Sequence, residues 1–169
     1  MALPLITVNI NDTNTDIESV RQLAAVVVAK AFNDYMEFTM FPLYVNQLRV
    51  IRNELYEWCL CEGEEAEAKL FRALELMQSS FFRRMYKMRR KIMKRGIDRE
   101  SVWVHIDKLD GIIRFEERIG CRNANTELYR VNRFFHSDLY SLYSGNRVDL
   151  AKALDRCHDE IEKEKERIR

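Results

Sequence analysis

Apolar positions recur at helical spacing along most of the chain, and glycine or proline stands at most places where the rhythm breaks. Ile17, Val20, Ala24, Val27, Ala31 and Phe38 share one face of a helix predicted over residues 16–40, with Asn14 or Thr15 as its cap. Pro42 opens a second helix, in which Tyr44, Leu48, Ile51, Leu55 and Trp58 repeat at intervals of four and three before Gly63. The longest stripe, Leu70, Ala73, Leu74, Met77, Phe81, Met85, Met88 and Ile92, predicts a third helix over residues 64–95, about 50 Å long. Gly96 stops it and Asp98 caps a fourth, with Val102, Ile106, Leu109 and Ile113 on one face as far as Gly120. Val102, Val104 and Ile106 also alternate, so a short strand fits there too.

A fifth helix over residues 125–143 buries Leu128, Val131, Phe135 and Leu142. Beyond Gly145 a sixth runs over residues 147–169 with a narrow stripe of Leu150, Leu154, Cys157 and Ile161. Its end is mostly charge, where Asp159 with Lys163 and Glu162 with Lys165 suit a solvated helix. Residues 3–10 alternate as a short strand or extended arm would. The predicted fold is therefore all-α: about six helices in an irregular bundle with one long central helix. An N-terminal arm over residues 1–14 precedes a single helical domain over residues 15–169. The aromatics Phe32, Tyr35, Phe38, Phe41 and Tyr44, and again Phe134, Phe135, Tyr140 and Tyr143, fall mainly at helical spacing and are expected in the core.

Composition adds that 169 residues, 47% of them hydrophobic and 33% charged, suffice for one folded core. The longest apolar run, Leu23 to Ala29, is far below the roughly 20 residues that span a bilayer. With no basic start followed by an apolar run at the N-terminus, no membrane association and a cytoplasmic location are expected. Cys59, Cys61, Cys121 and Cys157 lack the density of a disulfide scaffold and are expected as reduced thiols.

The net charge of +1 provides no global field, so charge matters only locally. One segment is strongly asymmetric: Arg83, Arg84, Lys87, Arg89, Arg90, Lys91, Lys94, Arg95 and Arg99 face the single acid Asp98. Cations on successive helical turns can contact successive phosphates or an acidic protein surface, which makes these nine the candidate partner-binding or nucleic-acid-binding residues. The competing reading is that they neutralise Glu54 to Glu75, a stretch with seven acids against Lys69 and Arg72.

Other chemistry is thin. Cys59 and Cys61 would point about 200° apart on a helix, so no metal site and no cofactor are expected. Arg99 with His105, and Arg130 with His136, have the spacing of the arginine and histidine of all-helical HEPN-type ribonucleases, in which histidine acts as acid or base and arginine steadies phosphate charge. Neither arginine is followed by the polar residue that motif favours. No catalytic residue is assigned.

The stretch Leu128 to Leu154 contains Phe134 and Phe135, then Ser137, Asp138, Leu139 and Tyr140, then Leu142, Ser144 and Gly145 before an amphipathic helix. This pattern resembles small helical proteins of unknown function from phages and prophages of low-GC Gram-positive bacteria. Ala29 to Phe38 is similar to their opening helix. The resemblance implies a phage-borne chain in which the aromatics anchor a helix, His136 occupies a variable position, and residues 42–120 are inserted.

The expected function is a non-enzymatic accessory protein that binds a macromolecular partner, such as a host or defence protein, through the basic helix. Direct nucleic-acid binding through phosphates and a HEPN-like ribonuclease are the alternatives. A homodimer is expected from the long helix, the arm and the narrow last stripe.

Overall fold

The computed structural model describes residues 13–94, 98–145 and 148–168. It holds seven α-helices and one π-helical turn among the described residues: α1 (Thr13–Leu60), α2 (Gly63–Ser79), α3 (Arg83–Lys94), α4 (Arg99–Phe115), the π turn (Glu116–Gly120), α5 (Cys121–Phe135), α6 (Asp138–Ser144) and α7 (Leu150–Ile168). The all-α expectation holds, and Val102 to Ile106 is helix within α4. The arm expected over residues 1–14 lies largely outside the described residues.

The long central helix is α1, 48 residues and about 70 Å, and not the third predicted stripe. The first two expected helices are one, with Pro42 inside it. An interior proline costs a helix about 3 kcal/mol. Here Pro42 is exposed while Tyr44, Val45 and Leu48 immediately beyond it are buried and Phe41 packs on Phe81 and Phe82. Burial on both sides of the proline outweighs its local penalty.

The expected helix over residues 64–95 is instead divided into α2 and α3 at Ser80 to Phe82. Ser79 donates its hydroxyl to the Glu75 and Leu76 carbonyls, and the Ser80 hydroxyl accepts from the Phe82 amide, so side chains take over local backbone groups. The break lets Phe81 stack on Tyr44, with centroids 4.4 Å apart, while Phe82 packs edge-on to Phe41. Phe82, rather than the striped Phe81, is the buried member of the pair.

Gly120 does not end a helix either. Residues 99–135 are continuously helical through the π turn, and a Cβ on Gly120 would lie 2.8 Å from the Phe41 ring and would collide with a Glu116 carboxylate oxygen. Glycine is required there for close packing. The expected helix over residues 125–143 breaks at His136 and Ser137, where the Ser137 hydroxyl donates to the Phe134 carbonyl at 2.6 Å. Gly145 ends α6 in the left-handed conformation, at φ 59°.

Two hydrophobic clusters result. The larger joins Leu48, Ile51 and Leu55 of α1 to Ala73 and Met77 of α2, Met85 and Met88 of α3, and Val102, Ile106 and Leu109 of α4. The smaller joins Val28 and Ala31 of α1 to Phe135 and Tyr140, with Phe32, Tyr35, Phe134, Leu150 and Leu154 packed around them. Residues 28–35 of α1 therefore meet α5 and α6 in one cluster, and residues 42–120 supply the buried members of the other. On α7, Glu162 and Lys165 pair at 2.6 Å as expected, whereas Lys163 takes Glu160 at 2.6 Å rather than Asp159.

Candidate functional site

Helix α3, RRMYKMRRKIMK, consists largely of strong helix formers, and Lys91 and Lys94 in its last turn suit the negative end of the helix dipole. Met85, Met88 and Ile92 repeat at three and four and are buried, which fixes the orientation of the helix and turns the cations outward. Arg83, Arg84, Lys87, Arg90, Lys91 and Lys94 are exposed and Arg89 is half-buried.

Eight of the nine sequence-selected cations are described and divide into two groups. Three are held by the chain itself. Arg84 forms an ion pair with Glu116, whose carboxylate is buried at the π turn. Arg89 donates to the Leu74 carbonyl at 3.1 Å, tying α3 to α2. Arg99 donates to the Cys61 carbonyl at 2.6 Å and lies 3.9 Å from Glu62. By contrast Arg83, Lys87, Arg90, Lys91 and Lys94 make no ion pair with any described residue. Arg95 lies outside the described residues.

Among the described residues, neutralisation by Glu54 to Glu75 is confined to that Arg99 contact. The buried Glu54 takes Arg72 at 3.3 Å and Lys69 at 3.7 Å, and Glu57 also pairs with Lys69, so these two acids find their ion-pair partners within their own stretch.

The exposed surface of α3 has two sides. On one, Tyr86, Arg90 and Met93 follow at spacings of four and three, with both the tyrosine and the methionine about half exposed. On the other, Arg84, Lys87 and Lys91 face α4 and line a cleft of about 450 Å³. Its opposite wall is His105, Lys108, Gly111, Ile112 and Phe115, and Met88 contributes to the lining from α3. No acid lines this cleft, and Lys87, Lys91 and Lys108 have no ion-pair partner among the described residues.

Sequence reading selected Lys87 and Lys91 but missed Lys108, Tyr86 and Met93. Lys108 shares a helix face with His105, Ile112 and Phe115 by spacing alone. Its role becomes visible only once α4 is known to pack beside α3, which no periodicity encodes.

The two arginine and histidine pairs serve separate places. Six residues turn Arg99 and His105 about 120° apart on α4; the arginine is held by Cys61, and the histidine lines the cleft. Arg130 pairs with Glu127, and His136 lies exposed in the break between α5 and α6. None of the four cysteines is in a disulfide. Burial pushes the Cys59, Cys121 and Cys157 thiols up, with Glu117 and Glu116 adding to the effect at Cys121, so none is an activated thiolate. Among the described residues no three His, Cys, Asp or Glu side chains gather as a metal-ligand group. No helix among them is long and apolar enough to cross a membrane.

Compared with family models, with curated proteins and with solved structures, the chain has no match in any of the three.

Proposed function

We propose that this chain is a non-enzymatic accessory protein that binds an acidic protein partner through the outward side of α3. The supporting observation is the strip of Tyr86, Arg90 and Met93 flanked by Arg83 and Lys94. Tyrosine, arginine and methionine are the residue types enriched in interface centres, and the flanking cations have no ion-pair partner among the described residues to give up on docking. The C-terminal motif adds the phage-borne context, with a host or defence protein as the partner.

The test is capture from a host lysate with the parent chain and with an Arg90→Glu, Lys94→Glu variant. A partner of acidic surface, retained by the parent, released by salt and lost by the variant, is expected. Recovery of the same proteins by both baits overturns the reading.

A second reading, direct contact with nucleic-acid phosphates, is favoured by the spacing of Lys87, Lys91 and Lys94 on successive turns without an ion-pair partner among the described residues. Gel-shift affinity would then fall steeply with salt. Absence of a shift at low ionic strength removes it.

Homodimerisation belongs to the same proposal. Ile17, Val20, Leu23 and Val26 of α1 are each more than half exposed, an apolar surface that a second copy would cover. A light-scattering mass near 20 kDa at working concentration contradicts it.

A further inference from the structure

The cleft between α3 and α4 is a different kind of surface from the outward strip. We propose that it is a binding site for a nucleotide: a phosphate monoester carried on a sugar with a flat base, either free or at the end of an oligonucleotide.

Three observations carry this. First, Lys87 and Lys91 on one wall and Lys108 on the other bring three lysines from two helices to the lining of one concave space, with no acid among the lining residues. Lysine is a compact point charge suited to phosphate oxygens, and a dianionic monoester is the ligand that best offsets such a group. Arg84, also in the lining, is neutralised by Glu116, so the uncompensated charge is that of the lysines.

Second, the space is amphiphilic. Met88, Ile112 and Phe115 give it an apolar portion, and Phe115 is about half exposed, leaving ring surface on which a flat base can stack. An inorganic anion would leave this portion unused. Third, the cleft is the right size. About 450 Å³ falls within the range of small-molecule clefts, and Gly111 keeps part of one wall free of any side chain.

This inference does not rest on the protein-partner reading, because Arg90 and Lys94 do not line the cleft. The experiment titrates AMP, inorganic phosphate, and 5′-phosphorylated and 5′-hydroxyl forms of one short oligonucleotide into the full chain at low salt, by calorimetry. Saturable AMP binding is expected. It should weaken at least tenfold in a Lys91→Ala, Lys108→Ala variant and by much less in an Arg90→Gln, Lys94→Gln variant, whose positions lie outside the lining. Phe115→Ala should weaken AMP more than it weakens phosphate.

The oligonucleotide arm distinguishes the source. Tighter binding of the 5′-phosphorylated strand than of AMP assigns a strand end, and equal or weaker binding assigns the free nucleotide. The proposal is overturned if neither AMP nor the phosphorylated strand saturates, if inorganic phosphate binds as tightly as AMP, or if the lysine variant binds as the parent does. The substituted lysines are exposed, and unchanged circular dichroism verifies that the variants fold.

Discussion

Helix α1 runs through two interiors that are built differently. Around its C-terminal half, Leu48, Ile51, Leu55, Ala73, Met77, Met85 and Leu109 are fully buried, and the packing is mainly aliphatic and thioether. Around residues 28–35 the cluster is small, and its most buried member, Phe135, keeps 3% of its surface. That region is held by ring geometry: Phe32 stacks on Phe135 at 4.8 Å, and Tyr140 meets Phe32, Phe134 and Phe135 edge-on. Ring pairs contribute roughly 0.5–1.5 kcal/mol beyond burial, but they cannot replace a deep interior. The difference implies that the aromatic region opens first, with the seven-residue α6 too short to persist alone.

The largest expected effect is in the aliphatic interior. Leu55→Ala removes a side chain with no exposed surface and leaves a cavity in the larger cluster, costing about 3–4 kcal/mol. Chemical denaturation should show one cooperative transition at much lower denaturant. Phe135→Ala should cost about 3 kcal/mol, the low end for such a truncation, because its surroundings are shallower. Its signature is locality: hydrogen exchange should quicken in α6 and α7 and hardly change in α2 to α4. If exchange quickened equally in both regions, the two interiors would be one cooperative unit and the contrast would fail.

Next in size is Gly120→Ala, which tests how the regions are joined. The new methyl overlaps the Phe41 ring, and overpacking of this kind costs roughly 1–3 kcal/mol. The gain in helix propensity returns up to about 1 kcal/mol, so a net loss of about 1 kcal/mol is expected. Phe41→Leu combined with it should recover part of the loss by vacating that space. A more stable Gly120→Ala protein would mean that the π turn does not depend on this close approach.

How much of this was legible in the sequence varied with the physical cause. Core positions such as Leu48, Ile51, Leu55, Met77, Met85 and Leu109 followed from periodicity, because burial of one helix face is written at intervals of three and four. Helix ends were less legible. Pro42 and Gly120 looked like punctuation, yet each is overridden by packing, at Phe41 in both cases. Ser79 and Ser80 did not look like a break, because the decisive stack of Phe81 on Tyr44 lies 37 positions apart in sequence. At the candidate site the cations of α3 were visible as composition. What could not be read was which of them the chain itself would engage, since Glu116 and the Leu74 and Cys61 carbonyls become neighbours only through the fold.

The smallest effect concerns the start of α4, one wall of the cleft. The Asp98 carboxylate accepts from the Ser101 amide at 2.7 Å and from its hydroxyl at 2.6 Å, and these bonds hold its pKa below the ordinary value. A carboxyl group whose pKa is lower folded than unfolded binds fewer protons in the folded state. Its contribution is therefore present above the unfolded pKa and is lost as pH falls through the ordinary carboxylate range toward the depressed value. Asp98→Asn keeps a cap of similar shape but cannot titrate. At neutral pH its melting temperature should lie slightly below the parent's, and the gap should narrow on acidification through the ordinary carboxylate range. Because Asp98 adjoins the aliphatic interior, the exchange rates of α6 and α7 should not respond. A gap that widens in acid, or a response in the aromatic region, would place the origin of the effect outside this cap.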